Sequence, residues 1–302
     1  MNRLAIGNVL AALAFVVWGL QPLYYQYLPA ADMNEMLAVR VAGTLPLVWL
    51  CVFAFKGHAL NIKELFTDRR SFFVSVIAGI VMCFSWYAFT WALTNNKVLE
   101  SSLGFFINPL FVIAFGVIFM KDRLSKVQGI AVLLAAFGLG YQIWKYGQLP
   151  LAALTMASFF AIYGLLKKYV RYDAMTALFV ETLVLFPFSV AYLGWEMANG
   201  TSSAFGHGWT TALLYLGSAP VTLLPLVLFS MAVARTSLSM IGLMQYIEPS
   251  LQFLLATLLF AEPFDEIKAV SFGLIWTGLI LCTLEGLFRH RKHQDPHQPA
   301  MP

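Results

Sequence analysis

The chain has 302 residues, of which 60% are hydrophobic and only 11% charged, with a formal charge of +4. Soluble domains carry roughly 25% charged residues, so this composition excludes a water-soluble enzyme or binding module and marks an integral membrane protein. The connections between apolar segments are short, the longest being 56–71 and 196–208, so no extramembrane domain is left to hold soluble chemistry.

A bilayer span takes about 20 mostly apolar residues. Ten such segments follow one another, near residues 5–27, 33–55, 72–94, 98–120, 127–145, 149–167, 174–195, 209–233, 237–260 and 268–288. They predict an all-α membrane protein with ten transmembrane helices. Span 1 begins after Arg3 and contains Ala12-Leu13-Ala14, but its apolar run continues through Leu20 without the polar region that precedes a cleavage site, so it reads as a retained span. With the N-terminus inside, 15 Lys and Arg fall in cytoplasmic segments, three (Lys97, Lys145, Lys268) fall outside, and Arg40 lies within span 2. Short loops rich in Lys and Arg stay cytoplasmic, so both termini are expected there. The charge of +4 thus reflects topology and implies no nucleic-acid partner; the basic tail Arg289–Lys292 suits anionic lipid.

The triplet Ile107-Asn108-Pro109 in span 4 returns as Ile247-Glu248-Pro249 in span 9, 140 residues later. The same offset pairs Ala92 with Ala232, Leu103 with Leu243, Phe106 with Tyr246, and Gly138-Leu139 with Gly278-Leu279. At an offset of 145, Trp18-Gly19-Leu20 of span 1 pairs with Tyr163-Gly164-Leu165 of span 6. Five spans per repeat is an odd number, so the second half enters the membrane from the opposite side and the repeats are inverted. The expected organisation is a first repeat at 1–147, a second at 148–290 and a cytoplasmic tail at 291–302. Pro-interrupted apolar segments at matching positions of two halves point to a transporter's central site, and a broken helix is expected in both. Asn108 and Glu248 lie about ten residues into their spans, which at 1.5 Å per residue is roughly 15 Å deep, near the midplane.

Charges inside a bilayer cost at least about 2.5–3.5 kcal/mol each at its centre, so those present need a reason. Arg40 in span 2, Glu100 at the start of span 4, Glu181 in span 7 and Glu248 in span 9 are the candidates for substrate or coupling roles, with Asn108, Gln245 and Tyr246 beside them. Arg40 either locks onto one of the glutamates or meets substrate. Glu248 stands out: Pro249 removes a backbone donor and frees a carbonyl one turn earlier, and a midplane carboxylate has no water unless a cavity supplies it. Trp18, Trp86, Tyr87 and Tyr163 fall within spans and are expected to line a cavity, whereas Tyr24, Tyr25, Tyr27, Trp144 and Tyr146 read as interfacial anchors. No nucleotide-binding, metalloprotease or nucleophile motif occurs; Cys51, Cys83 and Cys282 have no metal-ligand spacing, and all five His lie in loops or the tail. Neither a catalytic residue nor a metal or other cofactor is expected.

The run Leu99-Glu100-x-Ser102-Leu103-Gly104-x-Phe106-Ile107-Asn108-Pro109, with Phe160-Ala161-x-Tyr163-Gly164-Leu165, Glu181-Thr182 and Gln245-Tyr246-Ile247-x-Pro249, closely resembles the RarD proteins. These form part of the EamA branch of the drug/metabolite transporter superfamily. The resemblance covers essentially the whole chain. It implies a ten-helix fold of two inverted five-helix repeats, a cavity lined mainly by spans 1, 3, 4, 6, 8 and 9, and a chloramphenicol-sensitivity permease. In that family the residue before the second proline is often small, so a coupling role for Glu248 belongs to a subset.

These features together read as a secondary transporter of the bacterial inner (plasma) membrane. It exports a small amphipathic metabolite or drug-like molecule by alternating access, with protons as a candidate coupling partner. The rivals are an uncoupled facilitator of the same fold, a membrane-embedded enzyme, which would need catalytic groups converging at one interface, and a non-transporting scaffold or receptor.

Overall fold

Within a bilayer every backbone polar group must be satisfied inside its own segment, which leaves helices as the spanning element for so apolar a chain. The computed structural model describes residues 3–25, 27–28, 32–56, 65, 67–94, 98–147, 151–259 and 266–294. Their helices are α1 Arg3–Tyr25, α2 Met33–Lys56, α3 Arg69–Thr94, α4 Val98–Phe119, α5 Lys126–Tyr146, α6 Leu151–Tyr169, α7 Ala174–Ala198, α8 Trp209–Val233, α9 Leu238–Gln245, α10 Ile247–Leu258 and α11 Glu266–Gln294. No strand occurs among the described residues. Ten spans result, because α9 and α10 are two halves of the ninth. Six of the helices (α1, α5, α6, α7, α8 and the 69–89 part of α3) are long and apolar enough by themselves to cross a membrane.

Local chemistry sets the ends. Ser125 caps α5 in a reciprocal box with Gln128, and Gly147 at φ 69° closes it in the left-handed conformation. Asp173 accepts from the Met175 and Thr176 amides at the start of α7, and Ser237 accepts from the Met240 amide at the start of α9.

The two prolines of the repeated triplet behave differently. Pro249 cannot donate to the Gln245 carbonyl, and the ninth span is interrupted at Tyr246 between α9 and α10. Pro109 makes the same deletion in α4, yet that helix runs on from Val98 to Phe119. The broken helix expected in both halves is therefore present only in the second. Near Pro109 the two spans pack closely: α9 crosses α4 at Gly242, where a Cβ would come within 2.8 Å of the Pro109 carbonyl oxygen and 3.1 Å of the Ile113 amide. The α4 backbone is clamped there against a surface that only glycine offers.

The helix contacts follow the inverted repeat. Span n corresponds to span n+5, and α5 packs on α11, α4 on α9, and α2 on α7, each pair mapping onto itself. The α3–α6 contact is mirrored by α8–α1, the α4–α6 contact by α9 and α10 on α1, and the α3–α7 contact by α8–α2. The central core holds Phe15 and Trp18 of α1, Phe160 and Tyr163 of α6, and Phe229 of α8. Phe15 and Trp18 are the 145-residue counterparts of Phe160 and Tyr163, so α1 and α6 meet through equivalent aromatic residues.

Candidate functional site

Helical phase builds the cavity. On α3, Met82, Ser85, Trp86 and Phe89 recur at spacings of three and four residues, so one face of the helix reaches inward. Gln245, Glu248 and Gln252 do the same across α9 and α10. With Trp18, Gln21, Pro22 and Tyr25 of α1, Met33, Met36 and Arg40 of α2, Phe105 and Asn108 of α4, and Met156 and Phe160 of α6, they enclose about 400 Å³. That volume lies within the range of small-molecule sites, which are largely apolar with a few convergent polar groups. The lining residues lie at the C-terminal ends of α1 and α3 and the N-terminal ends of α2, α4 and α6, so the cavity sits toward the end of the bundle opposite Arg3.

Prolines of α8 help to position its polar groups. Pro225 lacks the amide that would bond the Val221 carbonyl, and Gln21 Nε2 donates to that carbonyl instead, at 3.1 Å. The next residue, Thr222, accepts from Arg40 Nε at 2.8 Å while its own hydroxyl donates to the Ser218 carbonyl, also at 2.8 Å. The Arg40 guanidinium lies over the rings of Tyr25 and Trp86, 5.7 and 5.3 Å from their centroids. Among the carboxylates whose side chains are described, none comes within 4 Å of it. Glu248 is 9% exposed and likewise makes no ion pair or hydrogen bond among the described residues. Asn108 Oδ1 and Gln245 Oε1 are buried without partners.

Toward Arg3 the cavity ends on an aromatic plug. Trp18 and Phe160 form both its floor and the top of the plug, with Phe229 5.7 and 5.5 Å from their ring centroids and Tyr163 stacked on Phe229 at 5.9 Å. Beneath lies a buried ion pair, Lys167 Nζ donating to Glu181 Oε1 at 2.6 Å, with Tyr163 Oη donating to Glu181 Oε2 at 3.0 Å. Lys168 Nζ donates to the Val233 and Thr236 carbonyls, and Thr236 Oγ1 donates to Asn8 Oδ1 at 2.6 Å, tying α1, α6 and α8 together. Below the pair opens a vestibule lined by Arg3, Lys167, Val170, Ala174, Ala177, Val227 and Ser230, among others. Its walls are the repeat counterparts of the cavity mouth: Val170 for Tyr25 at an offset of 145, and Ala174 and Ala177 for Met33 and Met36 at 141. By the same count Glu181 stands at the position of Arg40.

Arg40, Asn108, Gln245, Glu248, Trp18 and Trp86 therefore meet in one cavity. Four other expected residues do not. Tyr87 is 54% exposed on the outer surface, because one residue past Trp86 turns it about 100° away from the inward face. Tyr246, next to Gln245, is turned away in the same manner and is buried with Phe106 and Phe272. Tyr163 lies inside the plug, and Glu181 pairs with Lys167, so it neither locks Arg40 nor lines the cavity. Glu100 falls in a stretch whose side chains lie outside the described residues. Sequence reasoning missed Lys167, counted among the loop cations; the available signal was its place one turn after Tyr163, on the same helix face. It also read Tyr25 as an interfacial anchor, whereas that ring flanks Arg40. Among the described residues no cluster of His, Cys, Asp or Glu could hold a metal ion.

The sequence profile of the EamA-like transporter family matches twice, over residues 5–141 and 149–284. A Vibrio cholerae protein described as an uncharacterized transporter is 37% identical, with 93% of each chain covered. Protein RarD of Escherichia coli is 33% identical over 95% of this chain and 96% of its own. A solved crystal structure superposes with a TM-score of 0.68 at 16% identity, covering 92% of this chain and 97% of that one, which supports the fold alone. The chain is a multi-pass membrane protein that belongs to the EamA-like transporter family and, within it, to the RarD group.

Proposed function

We propose that this chain is an inner-membrane secondary transporter that exports a small amphipathic solute by alternating access, with both termini in the cytoplasm and Glu248 as a proton-coupling carboxylate. The observation that carries the reading is an asymmetry inside a symmetric frame. The cavity, away from Arg3, holds Asn108, Gln245 and Glu248, while the equivalent space on the Arg3 side, about 580 Å³, is a vestibule separated from those residues by the aromatic plug and the Lys167–Glu181 pair. The plug itself is nearly self-complementary: exchanging the repeats swaps Phe15 with Phe160 and Trp18 with Tyr163, and replaces Phe229 with Phe89. Phe89 now packs on Phe105 in the cavity wall, 5.5 Å between centroids. In the opposite conformer Phe89 takes the place of Phe229 on the shared aromatic residues, closing the periplasmic end while the cytoplasmic end opens. Inverted repeats rocking about a fixed midplane site work in this way. The 15:3 distribution of Lys and Arg supports a periplasmic cavity in the conformer described.

The test uses single cysteines at repeat-equivalent positions, Met36→Cys in the cavity and Ala177→Cys in the vestibule, in a background lacking Cys51, Cys83 and Cys282. Membrane-impermeant thiol reagents should label Met36→Cys from the periplasm and Ala177→Cys from the cytoplasm. Conditions that raise one rate should lower the other. Rates that rise and fall together would refute alternating access.

A further inference from the structure

The cavity holds two charges that have not been spent on each other. Among the described residues Arg40 uses one of its five N–H donors, on Thr222, and the Tyr25 and Trp86 rings against its guanidinium fix the plane of the remaining fork. Such a fork matches a carboxylate or similar oxyanion. The opposite need exists on α4, α9 and α10: Glu248, Asn108 Oδ1 and Gln245 Oε1 are buried acceptors that receive no hydrogen bond among the described residues. Charged groups within a bilayer ordinarily pair with one another, yet no ion pair joins Arg40 to Glu248. An anion alone would leave Glu248 unmatched, a cation alone would leave Arg40 unmatched, and a neutral molecule would match neither.

We propose that the solute class of this cavity is a zwitterion, with an anionic group on Arg40, an ammonium group on Glu248 and an apolar body against Trp86, Phe105 and Phe160. The proposal rests on the transporter reading of the same cavity and adds the substrate chemistry to it. It also gives coupling a physical form. An ammonium group and a proton each neutralise Glu248, so the two exclude one another, and protonation from the periplasmic side expels the solute. Arg40 and Glu248 are then the residues that set specificity, one for each end of the molecule.

The experiment measures binding to the full-length protein in lipid nanodiscs, without any gradient. The probes are phenylalanine and 6-aminohexanoate as zwitterions of short and long charge separation, phenethylamine and hexylamine as cations, 3-phenylpropionate and hexanoate as anions, and benzyl alcohol as a neutral control. At least one zwitterion should bind tenfold or more tightly than its singly charged analogues. Arg40→Gln should reduce that zwitterion to the affinity of the amine, and Glu248→Gln to the affinity of the acid. Arg40→Lys and Glu248→Asp keep the charges and should keep the preference, which separates recognition from damage to the fold. Equal binding of neutral, singly charged and zwitterionic probes would overturn the proposal, as would a preference that survives both neutralising variants. Zwitterion-selective binding without transport would instead refute the transporter reading and leave this one standing.

Discussion

Lys167→Met leaves the Glu181 carboxylate, 5% exposed, with one remaining hydrogen bond among the described residues, from Tyr163 Oη at 3.0 Å. Removing one partner of a buried ion pair costs about 3–5 kcal/mol, because the other charge stays desolvated. Glu181→Gln is expected to be milder. Lys167 also lines the vestibule, so its long side chain can turn its ammonium toward water. The loss is then nearer that of a charged hydrogen bond, about 1.5–3 kcal/mol. Replacing both residues, as Lys167→Met with Glu181→Leu, removes both desolvation penalties and should restore most of the stability, since apolar replacements of buried pairs are often neutral. Unfolding of the purified protein in mixed micelles should rank the double variant close to wild type, Glu181→Gln below it and Lys167→Met lowest. Wild-type stability in Lys167→Met, or a double variant no more stable than Lys167→Met alone, would refute the pairing.

Phe229→Ala and Phe89→Ala should act in opposite directions on the cysteine labelling described above: the first loosens the cytoplasmic plug and raises labelling of Ala177→Cys, the second raises labelling of Met36→Cys. Glu35 accepts from Ser202 Oγ, the Ser203 amide and the Ala204 amide at 2.5, 2.7 and 3.2 Å, pinning the connection after α7 to the start of α2. Glu35→Ala should therefore cost about 1.5–3 kcal/mol and speed proteolysis within residues 199–208, whereas an unchanged cleavage rate would refute the latch. Reporter fusions at residue 302 should be active in the cytoplasm, and truncated fusions near 30, 96, 147, 200 and 265 in the periplasm. A periplasmic C-terminus would reverse the assignment of the cavity mouth.

Much of the fold was legible in the sequence because two of its signals are strong: segment hydropathy and the 140-residue recurrence of the Asn108-Pro109 and Glu248-Pro249 dipeptides. Which aromatic residues face inward was not legible. In a soluble helix the polar face reveals the phase, but a helix bounded by lipid is apolar all round, so Trp86 and Tyr87 look equally suited to a cavity. The polar residues Gln245, Glu248 and Gln252 did mark a face on the ninth span, and the same spacing excludes Tyr246 from it. Lys167 was hidden for another reason: a cation at a span end satisfies the topology rule by itself, and nothing local shows that Glu181 on the next helix turns toward it. The unequal effects of Pro109 and Pro249 were not legible either, because both remove the same backbone donor from an equally apolar segment.

The decisive experiment on coupling uses inside-out membrane vesicles and the solute whose export distinguishes overexpressing from deleted cells. With an acidic lumen, wild-type protein should accumulate that solute against its concentration gradient. Glu248→Gln, whose amide mimics the protonated acid, should fold and, at solute concentrations raised to offset its weaker binding, retain downhill exchange but lose acid-driven accumulation. Undiminished accumulation by Glu248→Gln at equal membrane abundance would show that the carboxylate is structural, and the absence of acid-driven accumulation in the wild type would leave an uncoupled facilitator.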